Sequence, residues 1–339
     1  MAPAPTDGTP APAWLTLPVA SCNLLNLARA GRVFYENLDP YDDAEHARKI
    51  AWLGTLFGRL NADVLGVQEV WDESALQAAV AASGLRYATV AAPGAEAPAG
   101  AGGTPRVGLV TRLPVQAIES IADFEPAERV VVPELGEHAR FERPLLHAVL
   151  RLRTGVSLHV LVAHLKSKRP KFLQDDAGRT LEDRDDPAVT ARATLRALLM
   201  RAAEAAALRR VVVGITGRTR EPLVLLGDLN DGPHAVTTQM IAATQAVAYD
   251  REARDVALFH AWDVQTEPAL RRDMAYSHVH QGWPELLDQI WVSEEFVAGS
   301  KFALGDVRRV EVFNDHLHEG RDRWRSVHGF VRALLRLRA

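Results

Sequence analysis

Pro222-Leu-Val-Leu-Leu-Gly-Asp-Leu-Asn-Asp-Gly-Pro233 is the stretch that most narrows what this chain can become. Leu223 to Leu226 is an apolar run of strand length between helix-forming segments, and such a run reads as a strand covered on both faces. Gly227 admits a close turn of the backbone. Asp228, Asn230 and Asp231 follow at once, and Gly232-Pro233 stops the strand. Carboxylates and an amide at the end of a buried strand stand at the rim of a sheet, where oxygen ligands can hold a hard divalent cation against a phosphate. A polar turn capping the helix expected from His234 would use the same residues. The rest of the chain decides between the two.

Other apolar runs also end in polar side chains. Leu17 to Asn26 reads as a first strand that runs out at Asn23 and Asn26. Glu45 to Leu60 has a helical period, and the short buried strand Val64–Val67 then ends in Gln68-Glu69. A helix is expected over 73–82, and strands over 87–90, 107–110 and 145–152. Leu158 to His164 alternates and delivers His164 and Lys166, two residues apart. On a strand that spacing puts both on one side, which suits contacts to a single phosphoryl group. Lys168, Arg169 and Lys171 read as a solvated basic loop. Val189 to Leu208 is the strongest helix. Leu287 to Val292 carries Asp288 near its start, Val307 to Phe313 ends in Asn314-Asp315-His316, and a closing strand is entered through Ser326-Val-His328. Residues 91–105 are expected to form a flexible loop. Residues 119–141 and 173–187, charged and without period, are expected to be surface excursions, the second mobile. His278, His280 and His318 match no zinc spacing and read as surface residues or as residues that stand behind the ligands of a site.

Composition bounds the rest. The chain has 339 residues, 47% hydrophobic and 24% charged, as in a globular protein. A net charge of −4 argues against a protein that coats nucleic acid non-specifically, while leaving room for local phosphate contacts. With Cys22 alone, no intramolecular disulfide can form, which fits a reducing compartment. Met1 to Pro12 lacks the basic and apolar parts of a signal peptide, and no run approaches a membrane span. The expectation is a cytoplasmic protein with a disordered lead-in over 1–15, one domain over 16–339, and no obligate protein partner.

Asn23, Gln68-Glu69, His164-Leu-Lys166, Gly227-Asp-Leu-Asn230, Leu287-Asp288 and Ser326-Val-His328, in that order, resemble the motif set of the endonuclease/exonuclease/phosphatase superfamily. The resemblance implies an α/β fold, a four-layer α/β/β/α sandwich of two mixed sheets with the site at one open end, and Mg²⁺ or Mn²⁺ as cofactor. Position by position, Glu69 resembles the principal metal ligand, with Asn23 beside it. Asp228 and Asn230 resemble the pair that holds the nucleophilic water and the scissile phosphate. His164 resembles the phosphate-binding or acid histidine, with Lys166 as a second phosphate contact. His328 resembles the closing histidine, and Asp288 the carboxylate that orients it. The family closes on Ser-Asp-His, and here Val327 replaces that Asp. Asp315, at a neighbouring strand end, is the candidate to replace it at the metal. A rival alignment takes Asn314-Asp315-His316 as the closing triplet. His328 is preferred because the final strand follows it.

The resemblance implies a phosphodiester hydrolase. The His-x-Lys-Ser-Lys form of the middle motif is more similar to bacterial nucleases of the superfamily, so nucleic acid is the first expected substrate. A phosphomonoesterase or a phosphodiesterase for a phospholipid or small molecule is the alternative. A binding protein of the same fold, weakened by Val327, is the other class.

Overall fold

The computed structural model describes residues 14–338 apart from 36–37, 96–102, 176, 218, 244–246, 248–249, 251, 268–273 and 321. The first half of the chain runs β1 (Trp14–Leu27), α1 (Asp43–Leu60), β2 (Val64–Val70), α2 (Glu73–Ala82), β3 (Thr89–Ala91), β4 (Arg106–Thr111), β5 (Val115–Asp123), β6 (Val130–Val132), β7 (Gly136–His138), β8 (Arg140–Arg151) and β9 (Ser157–His164). The second half runs α3 (Pro187–Thr216), β10 (Leu223–Asp228), α4 (Val236–Ala242), β11 (Phe259–His260), α5 (Ala261–Val264), β12 (His278–His280), β13 (Trp283–Glu285), β14 (Asp288–Val292), β15 (Gly305–Phe313) and β16 (Phe330–Arg338).

Two six-stranded sheets form, in the orders β15-β16-β1-β2-β4-β3 and β11-β14-β10-β9-β8-β5. Each is mixed: β1 and β2 are parallel in one, β9 and β10 in the other, and the remaining neighbours are antiparallel. The period of two sorts side chains between layers. Val224 and Leu226 of β10 face the other sheet and join Val19, Val64, Leu109, Val160, Val162 and Ile290 in the central core. Leu223 and Leu225 point the other way, against Leu208 and Val212 of α3 and Ile241 of α4. Both faces are therefore dry, which is why the run is uninterruptedly apolar. On the far side Leu53, Phe57 and Leu60 of α1 and Leu76 and Ala79 of α2 cover Cys22, Leu65 and Val67. The result is the expected four-layer α/β/β/α sandwich. Fully burying one such Leu stabilises the fold by about 2 kcal/mol.

Local signals fix the ends of the elements. Asp42 caps α1 and accepts from the Glu45 amide at 2.7 Å, while the Glu45 carboxylate returns to the Asp42 amide. Gly66 sits at a point of close approach between the sheets, since a Cβ there would fall 2.8 Å from the Leu226 Cβ.

Several expectations need correction. The strand β1 begins at Trp14, inside the span read as lead-in, and residues 1–13 lie outside the described residues, as do 96–102 of the expected flexible loop. The charged stretch 119–141 is not an excursion throughout. Its start belongs to the edge strand β5, whose residues are mostly exposed and so carry no apolar alternation, and its end contains the hairpin β6–β7. Nor is 173–187 loose: Glu182 accepts the Leu173 amide at 2.7 Å and pairs with the buried Arg196 of α3 at 2.9 Å. Among the described residues, no helix is long and apolar enough to cross a membrane.

The topology gathers the dispersed motifs. Parallel β9 and β10 end side by side, with His164 opposite Asp228. Antiparallel β14 starts where β10 ends, with Asp288 opposite Asp228. Parallel β1 and β2 bring Asn23 opposite Gln68, and antiparallel β16 starts beside the end of β1.

Candidate active site

Alternation alone would turn Glu69 towards α1 and α2, the side taken by Leu65 and Val67. A register irregularity between Val67 and Val70, with Glu69 itself at φ +62°, prevents this. A matching irregularity in β1 puts Leu25 and Asn26 at φ +48° and +52°. Left-handed backbone at non-glycine residues costs on the order of 1 kcal/mol each. What it secures here is a bridge. The Asn23 Nδ2 donates to Glu69 Oε1 at 3.3 Å and to Asp228 Oδ2 at 3.0 Å, and the Asn26 amide donates to Glu69 Oε2 at 2.9 Å. Asn230 is also left-handed, at φ +54°. Its amide N–H donates to Asp228 Oδ1 at 3.0 Å and its Nδ2 to the Leu165 carbonyl at 2.9 Å.

His328 enters from the segment before β16. Its Nδ1 lies 2.8 Å from Asp288 Oδ2 and 3.7 Å from Asp228 Oδ2. Burial opposes a charge on this ring, but Asp288 and then Asp228 overcome it, and the pKa rises to about 10. The resting proton therefore sits on His328. Burial, and then the neighbouring Asp288, raise the Asp228 carboxyl above its ordinary range, against the pull of His328. His164 behaves oppositely: burial first, then Arg143, hold it well below the ordinary value. Its Nε2 is 3.5 Å from Asp228 Oδ2 and its Nδ1 is buried without a partner. His164 is thus held towards the neutral imidazole, which suits an N–H donor to phosphate better than an acid.

The cluster suits a divalent cation. Glu69, Asp228 and Asp288 face one imidazolium, and the Asp288 Oδ1 is buried with no partner among the described residues. Ligand atoms of Asp228, Asp288 and His328 all lie within 4.8 Å of one another. His328 already commits Nδ1 to Asp288, so the uncommitted donors are oxygens, which favours a hard ion.

Two expected residues are not brought in. Asp315 is 78% exposed and pairs with Arg59 at 3.7 Å, because it follows the end of β15 into a helical turn on the surface. It does not replace the carboxylate missing at Val327. Lys166 is buried, but its Nζ turns back onto the Ser167 carbonyl and hydroxyl at 3.3 Å, since the chain has left strand geometry after His164. The rival histidine, His316, packs edge-on against Trp52 and places Nε2 2.8 Å from the His328 carbonyl, as a support for the segment.

Three further residues stand beside the cluster: His278, which takes the second of the two places expected for it, and Lys49 and Arg143, which sequence reasoning missed. His278 of the β12–β13 hairpin packs its ring 4.9 Å from that of His328, with Nδ1 buried and unpartnered. Burial, then His328, push its pKa down to about 4. The signal for the hairpin was Gln281-Gly282, both at positive φ as a two-residue turn requires. Lys49 of α1 is buried over the Tyr41 ring with no hydrogen-bond partner, and burial lowers its pKa to about 7 although Glu69 pulls it up. Arg143 of β8 donates from Nη1 to the carbonyls of His164 at 3.4 Å and Leu165 at 3.2 Å.

The comparisons agree with this architecture. A solved endonuclease/exonuclease/phosphatase family protein from Bacteroides thetaiotaomicron is 14% identical, with 96% of this chain and 97% of that chain covered at a TM-score of 0.56. A mannosyl-6-phosphatase from the same organism is 14% identical, covering 94% and 99% at 0.55. The human Nocturnin catalytic domain with bound sulfate is 16% identical, covering 96% and 97% at 0.55. At such identities these structures share the fold. No curated protein matches the chain. The family model described as Endonuclease/Exonuclease/phosphatase family matches residues 23–308. That span holds every strand-end residue of the cluster except His328, and the chain belongs to the endonuclease/exonuclease/phosphatase family of hydrolytic phosphoesterases.

Proposed function

We propose that this protein is a divalent-metal-dependent phosphodiester hydrolase, acting as a nuclease. The observation that carries the reading is the convergence of Asp228, Asp288 and His328, with Asn23 bridging Asp228 to Glu69. Asp228 has a carboxyl raised by burial and held by two N–H donors, and it accepts the proton of the attacking water. Asn230 is locked between Asp228 and Leu165 and orients the phosphate. The His328 imidazolium, held by Asp288, faces the charge that develops on phosphoryl oxygen, and donates its Nε2 proton to the departing oxygen. The proton on Asp228 then leaves to solvent and Nε2 of His328 takes one back from solvent, while Nδ1 keeps its proton on Asp288 throughout. Glu69, with Asn23 beside it, would hold Mg²⁺ or Mn²⁺, which supplies Lewis-acid charge at the phosphate.

A second reading, hydrolysis of a small phosphoester, is favoured by one observation. Lys168 is paired with Glu285 at 2.6 Å, and Lys171 lies 3.9 Å from Glu142, so much of the basic loop is already neutralised. That weakens a long cationic track for nucleic acid. Purified protein with Mg²⁺ or Mn²⁺ should be set against plasmid, single-stranded DNA, RNA, a sugar phosphate and bis-p-nitrophenyl phosphate. Cleavage of a polynucleotide supports the first reading. Turnover restricted to the small esters replaces it with the second, and no turnover on any of them defeats both.

A further inference from the structure

We infer that Arg143, and not Lys166, supplies the cation that binds the substrate phosphate. The inference rests on the phosphoester-hydrolase reading above. It begins in the sequence with Pro144. The β8–β9 ladder ends at Leu146 opposite Val162. Continuing that antiparallel register puts Pro144 opposite His164 and Arg143 opposite Leu165. Proline has no N–H to offer, so the ladder cannot extend and the His164 carbonyl on the β8 side loses its ladder donor, while the Leu165 carbonyl, which faces β10, also needs a side-chain donor. Arg143 provides one with Nη1, at 3.4 and 3.2 Å, and Asn230 provides another to Leu165 at 2.9 Å. Two side chains from different strands thus meet on one carbonyl oxygen. This sets the guanidinium beside Asn230, whose amide orients the phosphate.

The bonds that hold Arg143 use Nη1 alone. Nε and Nη2 bond nothing among the described residues, and neither is buried away from solvent. Those two nitrogens form the edge of guanidinium that presents parallel N–H groups, the geometry that takes two oxygens of one phosphate. No carboxylate pairs with Arg143 among the described residues, in contrast to Lys168 and Lys171 nearby. Buried Glu204 is near enough to feel the guanidinium, but no carboxylate among the described residues is in contact with it, and its orientation is fixed from behind by the two carbonyls. Lys166 presents no such free edge, since its ammonium is folded onto Ser167. Tyr35 lies within electrostatic reach of both Glu69 and Arg143: burial and then Glu69 raise its pKa while Arg143 pulls it down.

The test compares R143A, R143K and K166M on bis-p-nitrophenyl phosphate, with inorganic phosphate as the binding probe. R143A should lose about 10²- to 10³-fold in kcat/KM, the usual effect of removing a charge stabiliser. R143K should recover no more than about tenfold of that, because an ammonium cannot present two parallel N–H groups. K166M should lose less than about tenfold. Added guanidinium ion should restore part of the R143A activity and none of any K166M loss. R143K keeps a donor for the Leu165 carbonyl, and it separates loss of fold from loss of the anion edge. Inorganic phosphate should raise the Tm of the wild type and fail to raise that of R143K. The reverse ranking of R143A and K166M, or equal phosphate protection of wild type and R143K, overturns the inference. If the wild type cleaves no phosphoester with any divalent cation, the function proposed above fails. Phosphate protection then decides Arg143 alone: protection lost in R143K supports it, and an unprotected wild type overturns it.

Discussion

Asp288→Asn is the most informative single substitution, because it changes one charge and almost no volume. His328 stands at about 10 against an ordinary 6.5, and Asp288 is the largest attraction behind that rise. The difference corresponds to on the order of 5 kcal/mol favouring the imidazolium, after burial has opposed it. Asp228 and Glu69 contribute the smaller part. With Asn at 288, the ring would keep a hydrogen-bond acceptor for Nδ1–H but lose its main counter-charge. The metal-free variant, followed by NMR titration of the histidine ring protons, should show the His328 pKa at least one unit lower than in the wild type. Activity should fall by about two orders of magnitude or more, since the imidazolium then loses the counter-charge that holds its Nδ1 proton and its orientation. Stability gives an independent check. A group whose folded pKa is raised contributes fully below its unfolded value and loses that contribution as pH rises through the folded value. The wild type should therefore lose stability between about pH 6.5 and 10 from this group, and Asp288→Asn should flatten that slope. An unchanged His328 titration in the variant would refute the assignment of Asp288 as its partner.

Glu204 is buried in α3 and accepts the amides of Glu142 at 2.9 Å and Lys166 at 2.6 Å, and burial raises its pKa to about 7. Proton loss between about pH 4.5 and 7 therefore costs the folded state, and thermal melts of Glu204→Gln should lack the decline seen in the wild type over that window. Glu204→Ala, which strands both amides, should cost about 2–4 kcal/mol in urea unfolding. His328→Ala should be nearly inactive with a small change in Tm. His316→Ala should be active but less stable, because it loses the Trp52 contact. An active His328→Ala beside a dead His316→Ala would reverse their roles. Gly66→Ala forces a Cβ to 2.8 Å from Leu226 and should destabilise by about 1–3 kcal/mol, while a neutral result would mean the two sheets are not in such close contact.

Legibility followed burial and periodicity. The run Leu223–Leu226 announced a strand covered on both faces, and the carboxylates at strand ends announced a site, because those patterns are set by layers that any such sandwich must have. The edge strand β5 was invisible since its face is solvated and carries Glu119 and Gln116 where a core strand would carry apolar residues. The C-terminal end of helix α3 was read eight residues early because Val211-Val-Val213 weakens helix propensity, while Val212 still packs beneath it. At the site, strand spacing carries His164 to the end of β9 opposite Asp228 but does not carry Lys166 with it, since alternation holds only while the strand lasts. Arg143 was unreadable as a lone charge in a charged segment. Its meaning depends on which carbonyls Pro144 leaves open, and that is a property of register between distant strands. Asp315 failed for a related reason: lying after a strand end is not the same as pointing into the cluster.

The central claim is that Asp228, Asp288 and His328 with Glu69 perform metal-dependent phosphoester hydrolysis. Its most direct test is the initial rate on bis-p-nitrophenyl phosphate as Mg²⁺ or Mn²⁺ is added back to chelator-treated wild type and to Asp228→Ala. Hydrolysis in the wild type should be absent in chelator, rise saturably with the ion, and be lower in the variant by about 10²-fold or more at every concentration. Full wild-type turnover in excess chelator, or equal turnover by Asp228→Ala, would contradict it.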